Sequence, residues 1–127
     1  MKFFLLALGF LISTTAMAAN NIQIKANSGI EDYLSYDFGT VWVNTRATVR
    51  YTVTNTGTAP LTFRDAYIMG SDFRAVHNCT NGLLPNAQCQ FEIEFWPMFE
   101  GMTSGRFLLN FAEDQVQVDL WGRAQRM

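Results

Sequence analysis

A strand pattern that ends in a tight turn constrains the fold of this chain more than any other feature. Apolar and polar side chains alternate over residues 47–54, as in a strand with one buried face. The following residues, 55–60, are Asn-Thr-Gly-Thr-Ala-Pro, and apolar residues resume at Leu61. Because Gly and Pro break regular structure, the whole unit predicts a β-hairpin corner.

Short alternating segments of the same kind recur along the rest of the chain, and no segment has a helical period. They cover residues 22–25, 33–38, 41–43, 61–69, 73–76, 90–95, 107–111 and 116–120. Seven to nine short strands separated by turn residues predict an all-β fold. We expect an immunoglobulin-like β-sandwich of antiparallel strands.

The N-terminal residues have the pattern of a bacterial secretory signal peptide. Lys2 precedes an apolar run over residues 3–12, and Ala16-Met17-Ala18 supplies small residues for cleavage. A run of about ten residues is shorter than the roughly 20 that span a bilayer, so no membrane-spanning segment is predicted. We expect a signal peptide at 1–18 and one exported domain at 19–127, in the periplasm or secreted.

The charge balance argues against nucleic acid as a partner. Without Lys2, eight basic side chains remain against 11 acidic ones, a net charge of −3. Proteins that bind nucleic acid or anionic membranes need a basic surface, which this composition does not provide.

Cys79 and Cys89 are the only cysteines in the sequence. In an exported chain such a pair predicts a structural disulfide, and closing so small a loop contributes about 2–3 kcal/mol. A redox-active pair usually has Cys-x-x-Cys spacing, which is absent here. His77 is the only histidine, so the sequence predicts no zinc site and no cofactor.

No catalytic constellation is recognisable, and we predict that the protein is not an enzyme. Glu92 and Glu94 share one side of a strand, as a glycosidase pair could. Arg50 lies on a predicted neighbouring strand, so cross-strand ion pairs explain the two glutamates more simply.

Large apolar side chains in the outward phase of the strands are the candidate binding residues. Strand alternation directs each away from its buried neighbours, and aromatic residues are enriched at protein interfaces. The set consists of Trp42, Trp96, Leu108 and Trp121, together with Phe99 in the loop over residues 97–102.

Several motifs resemble the ASH (ASPM–SPD-2–Hydin) domain family. They are Phe-Gly-Thr-Val-Trp-Val-Asn at 38–44, Asn-Thr-Gly-Thr-Ala-Pro-Leu at 55–61, Gly-Ser-Asp-Phe at 70–73, Leu-Pro at 84–85, Phe-Trp-Pro at 95–97, Gly101 and Leu-Trp-Gly at 120–122. With its two cysteines the chain is similar to the secreted bacterial branch known as choice-of-anchor D. The resemblance implies a sandwich related to major sperm protein and pilus-chaperone domains, used for binding or assembly and without shared catalytic residues.

The expected function is therefore a non-catalytic module that binds another envelope or surface protein. One alternative is a carbohydrate-binding module, with two coplanar tryptophans beside polar residues such as Asn110, Gln115 or Gln117. Another alternative is a pilus-type periplasmic assembly chaperone. The sequence specifies neither the partner nor the oligomeric state.

Overall fold

The structure is a computed structural model that describes residues 22–26, 29–31 and 34–127. The predicted signal peptide, residues 1–18, lies outside the described residues. Among the described residues there is no helix with the length and hydrophobicity that a bilayer crossing requires.

The described residues form nine strands in two sheets, which confirms the predicted all-β sandwich. The strands are β1 (Ile22–Ala26), β2 (Gly29–Glu31), β3 (Ser35–Trp42), β4 (Ala47–Asn55), β5 (Phe63–Met69), β6 (Phe73–His77), β7 (Gln88–Phe95), β8 (Gly101–Phe111) and β9 (Gln115–Gln125). One sheet has the order β3-β9-β8-β5, and the other has the order β2-β1-β4-β7-β6.

The core lies between the sheets and is rich in phenylalanine. Alternate residues of β4, β7, β8 and β9 are buried, as their sequence alternation predicts. The Phe91 ring contacts Phe107 across the sheets with centroids 4.7 Å apart, and Phe95 stacks on Phe73 at 5.1 Å. Such ring pairs contribute about 0.5–1.5 kcal/mol beyond their burial. Gly122 leaves room for Phe95, because a Cβ there would lie 2.4 Å from that ring.

One pair of strands departs from the predicted antiparallel arrangement. β3 runs parallel to β9, while the other neighbouring pairs are antiparallel. Parallel neighbours need a long connection, and here all the strands from β4 to β8 lie between them in sequence. β3 also contains one extra residue, since Trp121 is level with Asp37 but Arg123 is level with Thr40. Gly39 occupies this irregularity with a φ of 74°.

The prediction of a β-hairpin at residues 55–60 was wrong. β4 and β5, the strands on either side, belong to different sheets, so the connection between them crosses the sandwich. The reason is that β4 is a central strand with β1 on one side and β7 on the other. No edge of β4 is free to pair with β5, and the chain must leave the sheet.

The buried side chain of Asn55 holds this crossover in place. Its Nδ2 donates to the carbonyls of Ala59 (2.9 Å) and Leu83 (3.0 Å), and its Oδ1 accepts from the Gly57 N–H (2.9 Å). The residue is completely inaccessible to solvent. All three hydrogen-bonding groups of the amide are therefore used within the protein.

The predicted disulfide between Cys79 and Cys89 is present beside this network. Both cysteines are buried, and their Cα atoms are 5.2 Å apart. The bond joins the segment after β6 to the start of β7. His77 is the last residue of β6, and its Nδ1 accepts from the Cys79 N–H at 3.1 Å.

Replacing Asn55 with Asp should destabilise the protein strongly. Asn55→Asp would place an oxygen opposite the carbonyls of Ala59 and Leu83 and would bury a charge with only the Gly57 N–H as its donor. We expect a loss of at least about 3 kcal/mol in the free energy of unfolding, measured with urea. The exposed Asn81 is the matched control, and Asn81→Asp should change stability by less than about 0.5 kcal/mol. Equal urea midpoints for the two variants would contradict this assignment.

A hydrogen bond to Glu113, in the turn between β8 and β9, should make the stability of the protein depend on pH. The N–H of Thr62 donates to Glu113 Oε1 at 2.8 Å, and this bond lowers the pKa of the carboxyl. Because the folded-state pKa is depressed, the stabilisation is complete above the unfolded-state value of about 4.3. It is lost as the pH falls through the folded-state value. Glu113→Gln should therefore lower the melting temperature at pH 7, and the gap should close in acid. A difference in melting temperature that stays constant throughout the acid range would refute stabilisation by the Glu113 carboxylate.

Candidate functional site

The two outer faces of the sandwich differ in chemistry. The face of the five-stranded sheet carries the predicted ion pair between Arg50 and Glu92, with 3.4 Å between nitrogen and oxygen. A second pair joins Arg46 to Glu94 at 3.5 Å. Both glutamates are thus paired with arginines on this face.

The face of the four-stranded sheet is more apolar. Exposed large side chains occur on all four strands and are interspersed with polar ones, since Trp121 is level with Ser104 and Met69 is level with Arg106. Partly buried Leu108 is level with Tyr67 and Gln117. The exposed ones are Trp42, Tyr67, Met69, Met102 and Trp121. At the far end of this face, Asn110 binds Asp65 (2.7 Å) and Gln115 (2.7 Å).

Trp96 is not part of the apolar face of the four-stranded sheet. It follows β7, and its ring lies 4.2 Å from the Arg46 guanidinium carbon and 5.0 Å from that of Arg74. The indole N–H donates to Asn44 Oδ1 at 3.2 Å. Two cations from flanking segments thus cover a half-buried ring, which is a stabilising arrangement.

One end of the sandwich exposes large apolar side chains at the end of β3, in the loop after β7 and at the start of β8. This apolar end consists of Trp42 (45% exposed), Met98 (50%), Phe99 (76%) and Met102 (71%). The turn after β3 and the loop after β7 are joined because the Asn44 N–H donates to the Pro97 carbonyl at 2.7 Å. The backbone that presents these side chains is therefore held in place.

A shallow depression lies beside Trp121 on the four-stranded face. Its volume is about 180 Å³, and its side-chain lining includes Asp37, Thr40, Met102, Trp121 and Arg123. Sequence reasoning identified only Trp121 among these residues. Arg123 lies two positions after Trp121, so strand alternation places both on the same outward face. This pattern could have identified Arg123 from the sequence. Asp37 and Thr40 come from β3, and only the parallel pairing with β9 brings them here.

The five predicted contact residues thus fall into three places. Trp42 and Phe99 lie at the apolar end, Leu108 and Trp121 lie further along the four-stranded face, and Trp96 lies against Arg46 and Arg74 beside the other sheet. Within the described ranges, no group of three or more His, Cys, Asp or Glu side chains is arranged to hold a metal ion.

Comparison with known families identifies the family to which this sandwich belongs. A profile described as "HYDIN/CFA65/VesB-like, Ig-like domain" matches residues 32–122. The chain belongs to this family. The resemblance to ASH (ASPM–SPD-2–Hydin) domains is confirmed, because Hydin is one of the proteins that give this family its description. In fold, the chain is also similar to the ASH/PapD-like domain of human CEP192. That match has a TM-score of 0.58 at 13% identity and covers 94% of this chain and 95% of the other.

Two Vibrio cholerae proteins are also similar in fold. The secreted serine protease VesC matches with a TM-score of 0.55 at 19% identity over 69% of this chain. The VesB protease matches with a TM-score of 0.57 at 12% identity over 84% of this chain. The matched regions are only 21% of VesC and 32% of VesB, so this chain spans about a fifth to a third of their length. Comparison with curated protein sequences finds no significant match.

The packing of the tryptophans predicts different contributions to stability. Trp96→Leu removes a ring covered by two arginines and a hydrogen bond, and should lower the free energy of unfolding by about 2 kcal/mol. Trp42→Leu changes a ring that is 45% exposed and should cost less than about 0.5 kcal/mol. Chemical denaturation followed by circular dichroism measures both values. Similar losses in the two variants would show that the arginine stack does not stabilise the fold.

Proposed function

We propose that this chain is a non-catalytic binding module of the bacterial cell envelope that docks on another protein through its apolar end. The observation that carries the proposal is the exposure of Trp42, Met98, Phe99 and Met102 at one end of the sandwich, where the turn after β3 is hydrogen-bonded to the loop after β7. Large exposed apolar side chains grouped in one region of a domain are typical of interaction sites.

The composition of the apolar end favours a protein as its partner. Aromatic residues and methionine are enriched in protein interfaces. Hydrogen bonds fix the backbone that leads into this loop, since the Trp96 N–H donates to the Asp72 carbonyl and the Asn44 N–H to the Pro97 carbonyl. A fixed backbone loses little conformational entropy on binding, so more of the contact energy contributes to affinity.

The sheet edges are less suited to docking than the apolar end. β2 has only three residues, and β3 contains the irregularity at Gly39. The other two edge strands carry charged side chains, Arg64 and Asp65 on β5 and Arg74 on β6. Short, irregular or charged edges discourage the addition of a further strand. We therefore assign docking to side chains rather than to strand addition.

Three observations support an envelope location. The first 18 residues have the pattern of a cleaved signal, and a buried disulfide is typical of an oxidising compartment. The structurally similar VesC is a secreted protease. The family fold also occurs as part of a larger protein in VesC and VesB, which agrees with an accessory binding role.

Variants of the apolar end test this function. The chain without residues 1–18 is immobilised, envelope proteins of the source bacterium are captured, and the recovered partner is purified and titrated. Phe99→Ser should weaken binding of the purified partner at least about tenfold, since central aromatic contacts dominate interfaces.

Leu84→Ser is the matched control for this experiment. Leu84 is 67% exposed, close to the 76% of Phe99, but lies in the disulfide-bonded loop at the other end of the sandwich. It should bind the partner as the unmodified chain does. Equal affinities for Phe99→Ser and Leu84→Ser would refute docking at the apolar end.

A further inference from the structure

The depression beside Trp121 combines an aromatic platform with polar groups. Trp121 is 40% exposed in the middle of β9, and its strand neighbour on β3 is Asp37. Arg123 lies two residues further along the same face, level with Thr40 and Met102. An indole ring is thus bordered by a carboxylate, a hydroxyl and a guanidinium group.

The polar groups of the depression have unused hydrogen-bonding capacity. Asp37 accepts from the Gly39 N–H through Oδ1 at 2.8 Å, and its Oδ2 has no partner among the described residues. Of the seven arginines in the described part of the chain, four form ion pairs and Arg74 lies over Trp96. Only Arg64 and Arg123 have neither kind of partner there. Arg123 lines the depression beside Trp121.

The charges of the depression specify a neutral ligand. Asp37 and Arg123 have opposite signs, so a simple anion would meet Asp37 and a simple cation would meet Arg123. A pair of adjacent hydroxyl groups can donate to the carboxylate and accept from the guanidinium at once. The C–H face of a sugar ring also matches the flat, electron-rich face of an indole.

The size of the depression limits how much of a ligand it can hold. Pockets for drug-sized ligands usually measure about 300–1,000 Å³. The volume of about 180 Å³ beside Trp121 suits a single ring. The rest of a longer ligand would lie across the open face of the sheet.

We propose that this depression is a subsite for one neutral pyranose ring of a glycan, stacked on Trp121 and hydrogen-bonded to Asp37 and Arg123. Its polar partners differ from those that the sequence suggested for sugar binding. Asn110 and Gln115 bind each other at the far end of the face, and Gln117 Nε2 donates to Asp119 at 3.3 Å. Met102 borders both this depression and the apolar end, but Phe99 does not line the depression, so the sugar subsite does not depend on protein docking through Phe99.

Titration of the ¹⁵N-labelled chain, lacking residues 1–18, with cellotetraose and with chitotetraose tests the proposal. At least one sugar should cause saturable shifts of the Trp121 indole N–H and of the Gly39 amide at millimolar concentrations. Trp121→Ala should abolish the shift of Gly39. Arg123→Ala should weaken binding about tenfold through the loss of a charge-assisted hydrogen bond.

Two control variants separate this site from other surfaces. Arg64 is the other arginine that has neither an ion pair nor a ring partner in the described part of the chain. Arg64→Ala should leave sugar affinity unchanged. Phe99→Ser should also bind sugar normally, although it impairs protein docking. Loss of docking and loss of sugar binding are therefore distinguishable.

Three results would overturn the sugar subsite. The first is the absence of saturable shifts with both tetrasaccharides. The second is an affinity that Arg123→Ala does not change. The third is tighter binding of an acetylated, amidated tetraglutamate peptide at the same resonances, which would assign the depression to an acidic peptide instead.

Discussion

The buried amide of Asn55 is the interaction on which the rest of the sandwich depends. At this residue the chain leaves a central strand and crosses to the other sheet. The amide supplies two donors and one acceptor, and all three are used by Ala59, Leu83 and Gly57. An unsatisfied buried polar group costs about 1–3 kcal/mol. A side chain without this amide would therefore destabilise the crossover, because its buried backbone groups would lose their hydrogen-bond partners.

This arrangement concentrates the polar and covalent restraints at one end of the molecule. The Asn55 network and the Cys79–Cys89 bond both lie where β4 ends and β7 begins. The apolar side chains around Phe99 lie at the opposite end of the same strands. Substitutions in those loops should therefore have little effect on the core, as is common where loops are carried by a stable scaffold.

Alternation in the sequence predicted the orientation of the tryptophans but not their surroundings. Trp42 and Trp121 are exposed as expected, because the period of two fixes the side of the sheet on which a residue lies. Trp96 has the same outward phase, yet arginines before β4 and on β6 cover it. The polar residues beside Trp121 could not be predicted either, since Asp37 is more than 80 positions away in the sequence.

The sequence by itself determined the fold class, the alternating core and the disulfide. These follow from local periodicity, turn composition and a single pair of cysteines. Only the tertiary structure decided which strands are neighbours. With both sides of β4 occupied, the turn after Asn55 became a crossover, and β3 paired in parallel with β9. The physical reason is that strand pairing depends on which edges are already taken by distant segments, and no local pattern records that.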